Sequence, residues 1–348
     1  MTVGLSRRNI LALGGGAALA MPFVRRASAQ TRTIYVSSYG GAWDTAWKKA
    51  FFDPFTAETK IRVSTVPGTS FAKLKAQVQA RKFEWNVAIF GDVEYTQAAH
   101  EGLLETVDKV AARVDRLPPE IVRECGIGCY SLGDVIVYRK DKFPNGGPQS
   151  WADFWDVKRF PGARAMRDRP ATCLAFALLA DGVPLDKLYP MDIDRGFRKL
   201  SELKPHVKVW WTQGAQSQQL IRDGDVDMIA MWSARAVDLI EDNVPVEMVW
   251  NGAAIYDAYV LVPKGDPNAK AAWEFCGFIA QAKPQADFAM LLPYGPVNPG
   301  ARSLMTDARL RQTPAWPQNE KVSFRHDTAW LAPRMPEIQE RWSQWLSS

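Results

Sequence analysis

Apolar residues along this chain follow two alternating periods. Short runs of β-branched and aromatic residues, closed by glycine or proline, read as strands. Longer stretches with apolar positions at i, i+3, i+4 and i+8 read as helices. Thr33-Ile34-Tyr35-Val36 is the first strand. The chain then turns through Gly40-Gly41 into a helix with Trp43, Trp47 and Phe51 on one face, which Asp53-Pro54 restarts or kinks. Ile61 to Val66 is a strand ended by Pro67-Gly68, and Phe71 to Arg81 a helix with Phe71, Leu74 and Val78 in phase. Asn86 to Phe90 is a short strand ending at Gly91-Asp92, and the helix from Val93 stops at Gly102. This β-α-β-α-β-α order predicts a parallel sheet with helices on both faces.

The pattern continues after an irregular stretch from Val107 to Pro119. Gly126 to Tyr138 is a long extended segment, and Ser150 N-caps a short helix, Trp151 to Trp155. Strands follow at Ala163–Arg167, Val207–Trp211, Asp227–Trp232 and Val246–Trp250. Helices fall at Pro170–Asp181, Asp192–Leu203, Gly214–Ile221 and Ser233–Glu241. Tyr256 to Pro263 is extended, Asn268 to Ala282 and Pro284 to Leu292 are helical, and a tryptophan-rich helical tail runs from Ala329 to Leu346. The chain crosses between two lobes around Leu132–Ile136 and back at Tyr256–Pro263. The expected division is 30–133 with 260–304 in lobe 1, and 134–259 with 305–348 in lobe 2, the C-terminal helices lying partly on either. The fold class expected is α/β, each lobe a mainly parallel sheet flanked by helices.

The first residues stand outside this pattern. Ser6-Arg7-Arg8-Asn9-Ile10-Leu11, a glycine-rich apolar segment from Ile10 to Val24, and Ala27-Ser28-Ala29 read as a twin-arginine signal peptide over residues 1–29. The apolar segment falls short of the roughly 18–20 residues that span a bilayer. Gly14 to Ala17 belongs to this leader and is no phosphate loop. Cleavage before Gln30 leaves 319 residues, and loss of Arg7, Arg8, Arg25 and Arg26 lowers the formal net charge from +5 to +1. A nearly neutral chain gives no ground for nucleic-acid binding. The expected location is the periplasm.

Four cysteines in an exported chain raise the question of disulfides. Cys125 and Cys129 are spaced to close a small loop; Cys173 and Cys276 lie in apolar helical patterns and are expected as buried thiols. The three histidines, His100, His206 and His326, lack metal-ligand spacing, and no nucleophile-elbow pattern is present. No catalytic set, metal or cofactor is therefore expected, and the chain reads as a binding protein rather than an enzyme.

Fourteen tryptophans are many for this length. Most suit a core, since aromatics dominate buried area. Several sit at strand–helix junctions, however: Trp43, Trp232 and Trp250, joined by Tyr39, Tyr256 and Tyr294. Those junctions face the cleft of an α/β sheet, where aromatic walls cover methylene chains and attract ammonium groups. The Gly40-Gly41 turn adds a close backbone approach and a helix start whose free N–H groups favour an anion.

In order along the chain come Tyr39-Gly40-Gly41-Ala42-Trp43, Phe52-Asp53-Pro54-Phe55-Thr56-Ala57-Glu58-Thr59, and Ala88-Ile89-Phe90-Gly91-Asp92. Ser150-Trp151-Ala152-Asp153-Phe154-Trp155, Gly224-Asp225-Val226-Asp227 with Met231-Trp232, and Tyr294-Gly295-Pro296-Val297-Asn298 follow. With this set the chain resembles the spermidine/putrescine-binding family of periplasmic solute-binding proteins, which serve ABC importers. The resemblance covers nearly all of the chain beyond the leader. It implies two α/β lobes closing on a small solute like a hinged trap, of the type II periplasmic-binding fold. It also implies an ABC permease in the inner membrane as partner, and the chain itself is expected as a monomer.

Carried over, Tyr39 or Trp43, Trp232, Tyr256 and Tyr294 fall on or beside the family's aromatic positions, and Asp92 ends the third strand. The acidic positions fit less well. The family's acidic cluster at the second-lobe helix start is here Arg167-Asp168-Arg169, Asp257 follows Tyr256 with a register open by one, and Arg235 follows Trp232. A dication in a closed cleft needs carboxylates, because an unpaired buried charge costs several kcal/mol. The expected solute is therefore a carboxylate or an ω-amino acid, with Arg235 on its carboxylate and Asp168 or Asp257 on its ammonium; a dicarboxylate would use both arginine sites, Arg235 and Arg167 or Arg169. Alternatives are a genuine polyamine binder, arginines that form only surface ion pairs, an exported enzyme on the same lobes, and a sensory binding protein.

Overall fold

Two long strands carry the architecture, and their sequences explain why they can. Ile127–Arg139 is buried along nearly its whole length, so its apolar run needs cover on both faces. Val246–Leu261 pairs with it antiparallel over most of that length. The computed structural model describes residues 32–348, which form one compact unit. The leader read over residues 1–29, with its arginine pair and cleavage site, lies outside the described residues.

In chain order the strands are β1 (Thr33–Ser38), β2 (Arg62–Pro67), β3 (Ala88–Gly91), β4 (Ile127–Arg139) and β5 (Arg164–Arg167). β6 (Val207–Trp211), β7 (Met228–Trp232), β8 (Val246–Leu261) and β9 (Phe324–Arg325) complete them. One sheet has the order β3-β8-β4-β7-β5-β6, with β9 on β8; β1 and β2 form a parallel pair. That pair meets the start of β3 through the Val36–Val87 bridge. β7, β5 and β6 are parallel to one another, as the strand–helix alternation requires. The pairs β3–β8, β8–β4 and β4–β7 are antiparallel, because β4 and β8 run through the molecule in opposite directions.

Two separate strands were expected where β8 is one. The Asn251-Gly252 break is absorbed as a bulge: Asp134 pairs with Ala254 but Ile136 already with Val249. Gly252 has φ +74°, and its carbonyl accepts a hydrogen bond from Trp151 Nε1 at 2.7 Å. A Cβ there would stand 2.8 Å from the Trp151 ring, so the bulge needs glycine.

Core residues segregate along these strands. Trp43, Trp47, Phe51, Phe55, Phe275 and Phe288 form one aromatic cluster, with Trp43 and Trp47 stacked at 4.3 Å. The helix expected over this stretch is interrupted by a π-helical turn, Lys48–Phe52, just before Pro54. A second cluster joins Trp151, Phe154, Phe176, Leu200 and Trp342. At its centre Pro170–Ala180 is buried on all sides from Pro170 to Leu178, as its uniformly apolar sequence requires. The C-terminal helices Thr328–Leu331 and Met335–Ser347 pack on Asp92–His100 and on Pro170–Ala180 respectively.

All four cysteines are free thiols. Cys125 and Cys129 do not pair: Cys129 lies within the extended β4 with its thiol donating to Ala258 O at 3.1 Å, facing the sheet. Cys173 and Cys276 are buried, as their apolar settings suggested. No described helix is long and apolar enough to cross a membrane.

Helix Ala269–Ile279 approaches the Ala112 turn so closely that a Cβ on Gly277 would lie 2.0 Å from Ala112 O, a backbone atom. Gly277→Ala is expected to lower stability by about 3 kcal/mol, read as a lower urea midpoint in equilibrium unfolding. An unchanged midpoint would show that this contact relaxes freely.

Candidate functional site

The C-terminal ends of β5, β6 and β7 meet beside the crossing strands. Each delivers a side chain there: Arg167 ends β5, Trp211 ends β6, Trp232 ends β7. The Arg167 guanidinium lies 4.6 Å from the Trp232 ring centroid and 5.7 Å from that of Trp211. Its Nη1 donates to the Tyr256 hydroxyl at 3.0 Å and lies 3.4 Å from Asp134 Oδ2. Asp134 faces Trp232 across the β4–β7 pairing, and its side chain is only 2 % exposed. Burial holds its carboxyl above the usual range although Arg167 and Arg169 pull the other way. Its second oxygen, Oδ1, has no protein partner.

Arg169 reaches the same tyrosine from two residues further on. Its guanidinium lies 4.7 Å from the Tyr256 ring centroid, while Nη2 donates to Glu94 Oε2 at 3.1 Å. Burial disfavours the Arg169 charge, yet Glu94, Tyr256, Asp134 and Asp92 more than offset it and hold the guanidinium firmly charged. Gly91 makes room: a Cβ there would lie 3.0 Å from Glu94 Oε2 and 3.4 Å from Arg169 Nη2.

Trp232 leads into helix Ser233–Glu241, and Arg235 stands in its first turn. Trp232 meets Trp211 edge to face at 5.5 Å. Arg235 Nη1 donates to Gln218 Oε1 at 3.2 Å, and Asp238 is 4.0 Å away. Arg235 Nε and Trp232 Nε1 are buried without a protein partner. Both pack over Gly214, where a Cβ would come within 2.6 Å of the Trp232 ring and 3.2 Å of Arg235 Nε.

The remaining expected residues divide. Tyr39 is exposed, its hydroxyl donating to Ile89 O at 3.1 Å, and the charges of Glu94, Arg167 and Arg169 act on it. Tyr294 is buried, stacked on Phe288 at 5.2 Å, within the field of Arg235. Trp43 is buried behind Tyr39, which meets it edge-on at 5.6 Å, so it belongs to the core. Gly40 and Gly41 adopt φ +76° and +61°. The anion-binding role expected of their turn meets local competition: Gly40 N–H already donates to Ser38 Oγ at 2.9 Å, and that hydroxyl bonds Asp44 in the first helical turn.

The two aspartates expected to hold an ammonium are engaged elsewhere. Strand alternation sends Asp257 to the face opposite Tyr256, where Arg325 Nη1 donates to it at 3.0 Å. Asp168 accepts from Trp342 Nε1 at 2.7 Å. The carboxylates beside the arginines are Asp134 and Glu94, which sequence reasoning missed. Glu94 had a signal, since it lies in the first helical turn after a strand end; Asp134, inside a long apolar run, was legible only as an isolated charge in a strand. Among the described residues no cluster of side chains could hold a metal ion.

Asp92 opens helix Asp92–His100 and accepts from Val93 N at 2.8 Å. Burial, with Glu94 and Asp257 adding to it against Arg169, pushes its carboxyl up to about 7.

Two α/β halves joined by long crossing strands, with arginines and indoles at the strand ends between them, define a solute-binding protein of the kind that serves ABC importers. The chain belongs to the family of bacterial extracellular solute-binding proteins, whose profile matches residues 50–322. It is 34 % identical over 336 residues to the gamma-aminobutyric acid-binding protein of Pseudomonas aeruginosa, covering 94 % of each chain. It is 21 % identical over 330 residues to the spermidine/putrescine-binding periplasmic protein of Salmonella typhimurium, covering 91 % of each. The binding protein AgtB of Agrobacterium tumefaciens R10, solved in complex with agropinic acid, superposes with a TM-score of 0.85 at 30 % identity, covering 91 % of this chain and 99 % of that one. The expected family relationship and the two-lobed type II fold are thus borne out.

Asp92 holds its proton in the folded protein to a higher pH than in the unfolded chain, so folding loses stability as pH rises from about 4 through about 7 and no further above it. Asp92→Asn is expected to stabilise the protein by about 1–2 kcal/mol at pH 8 and by much less at pH 5, since partial exposure screens the full shift. Thermal unfolding at the two pH values checks this; an equal change at both would refute it.

Proposed function

We propose that this protein captures an ω-amino acid such as gamma-aminobutyrate in the periplasm and delivers it to an ABC permease. The observation that carries the reading is the set of buried polar atoms left without protein partners between the strand ends: Arg235 Nε, Trp232 Nε1 and Asp134 Oδ1. An orphaned buried donor or acceptor costs roughly 1–3 kcal/mol, more when charged. Donors on Arg235 and Trp232 suit a carboxylate, and the open oxygen of Asp134 suits an ammonium. Indole and phenol rings of Trp232, Tyr256, Tyr39 and Tyr294 supply walls for the methylene chain between. The gamma-aminobutyric acid-binding relative supports the same solute class.

Charge separates this reading from polyamine uptake. A diamine has no group for three guanidiniums, of which Arg167 and Arg169 already have Asp134 and Glu94 while Arg235 has only the distant Asp238. An ω-amino acid brings one charge of each sign and leaves the balance unchanged.

In mechanism, Arg167, Asp134 and Tyr256 lie on the β5 end and the crossing strands, and Glu94 on the helix after β3. Solute bound between them favours the closed arrangement, shifting the population from open to closed, and the closed form docks on the permease. Residues 30–133 and 260–304 form one lobe in this reading, 134–259 and 305–348 the other. Export follows the twin-arginine route, and the protein acts as a monomer.

Isothermal titration is expected to show gamma-aminobutyrate binding and putrescine not. Arg235→Ala and Trp232→Ala should each weaken gamma-aminobutyrate at least about tenfold, about 1.4 kcal/mol, with melting temperature nearly unchanged. Asp134→Asn should weaken it similarly while sparing succinate, which has no ammonium. Putrescine binding in place of gamma-aminobutyrate would overturn the reading.

A further inference from the structure

Asp168 sits between two arginines of the site, yet its carboxylate turns away from them. Arg169 N–H donates to Arg167 O at 2.8 Å, closing a tight three-residue turn with Asp168 at its apex. The ladder with β6 continues one step past the strand, as Asp168 N–H donates to Trp211 O at 2.8 Å. The thiol of Cys173 donates to Arg167 O at 3.1 Å. The remaining tie comes from far along the chain: Trp342 Nε1, in helix Met335–Ser347, donates to Asp168 Oδ1 at 2.7 Å. Trp342 is 1 % exposed and wedged edge-on against Trp210 at 5.2 Å, and Trp210 is the β6 partner of Met166. Trp342 therefore packs on the edge strand β6, which pairs with β5, the strand that carries Arg167.

We propose that Asp168 is a positioning residue, held by Trp342, that fixes the turn 167–169 so both guanidiniums converge on Tyr256. The sequence expectation of Asp168 as the ammonium partner is replaced: its oxygen is spent on an indole of the C-terminal helix. The consequence is that this helix sets the geometry of a solute site it does not touch. Arg167 donates to the Tyr256 hydroxyl and Arg169 lies over the ring of the same tyrosine only while the apex of the turn stays anchored. Loss of the anchor frees two long side chains that must then be ordered again on binding, which weakens affinity without removing any group that meets the solute. The proposal rests on the reading that Arg167 faces the solute.

The discriminating pair is Asp168→Asn and Asp168→Ala. Asparagine keeps an oxygen for the Trp342 N–H and loses the charge; alanine loses both. With gamma-aminobutyrate as probe, Asp168→Asn is expected within about threefold of the parent, and Asp168→Ala and Trp342→Phe about tenfold weaker. The double variant Asp168→Ala with Trp342→Phe should be no weaker than either single one, since both break one bond. An ammonium ligand would behave oppositely: Asp168→Asn as weak as Asp168→Ala, and Trp342→Phe unchanged; that result overturns the proposal. Arg167→Ala separates the two levels. If it leaves affinity unchanged, the site reading falls; if it weakens binding while Asp168→Ala does not, only the positioning role falls. A readout without solute completes the test. The Arg167 guanidinium lies 4.6 Å from the Trp232 ring centroid, so its resonance is expected to be ring-shifted and to move towards its free position in Asp168→Ala and Trp342→Phe but not in Asp168→Asn. An unmoved resonance in Asp168→Ala would refute the anchor even if a variant bound no solute.

Discussion

Tyr256 holds the site together. It stands on a crossing strand, accepts a hydrogen bond from Arg167 at its hydroxyl and carries Arg169 over its ring. Two guanidiniums within reach of one another repel, and each must find a negative partner or stay in water. Asp134 and Glu94 supply those partners from different elements, β4 and the helix after β3. The tyrosine spaces the two cations so that each meets its own carboxylate.

That constraint places the site on the crossing strands, which pair with one another over most of their length. β4 is buried over nearly all its length and pairs with β8 on one side and β7 on the other. Aromatic clusters lie on either side, around Trp47 and around Phe176. The arrangement suits a solute with separated opposite charges, because the site is itself a mosaic of both signs and not a field of one.

Much of this was legible in the one-dimensional pattern. Strand and helix positions followed from apolar periodicity and glycine or proline stops; β6 was read at its observed bounds, Val207–Trp211. The cap read at Ser150 makes its hydrogen bond, accepting from Asp153 N. The conflict between aromatic walls and arginine-rich positions was visible too, since both are statements about residue type. β8 as one strand was hidden, because a bulge can carry a strand across an Asn-Gly pair that otherwise reads as a turn.

Residue order and type were enough to settle the succession of elements, the apolar halves and the chemical character of the strand ends: indoles, phenols and guanidiniums. Which charged neighbour faces which way came from the folded arrangement alone. Asp257 and Tyr256 are adjacent in sequence and lie on opposite faces of β8, and Asp168 leaves the site for an indole in the last helix. Asp134 and Glu94 take their place beside the arginines. Period and composition are local properties of the chain. The pairing of buried charges, in contrast, is settled by long-range register and packing, where one residue of offset exchanges a ligand for a strut.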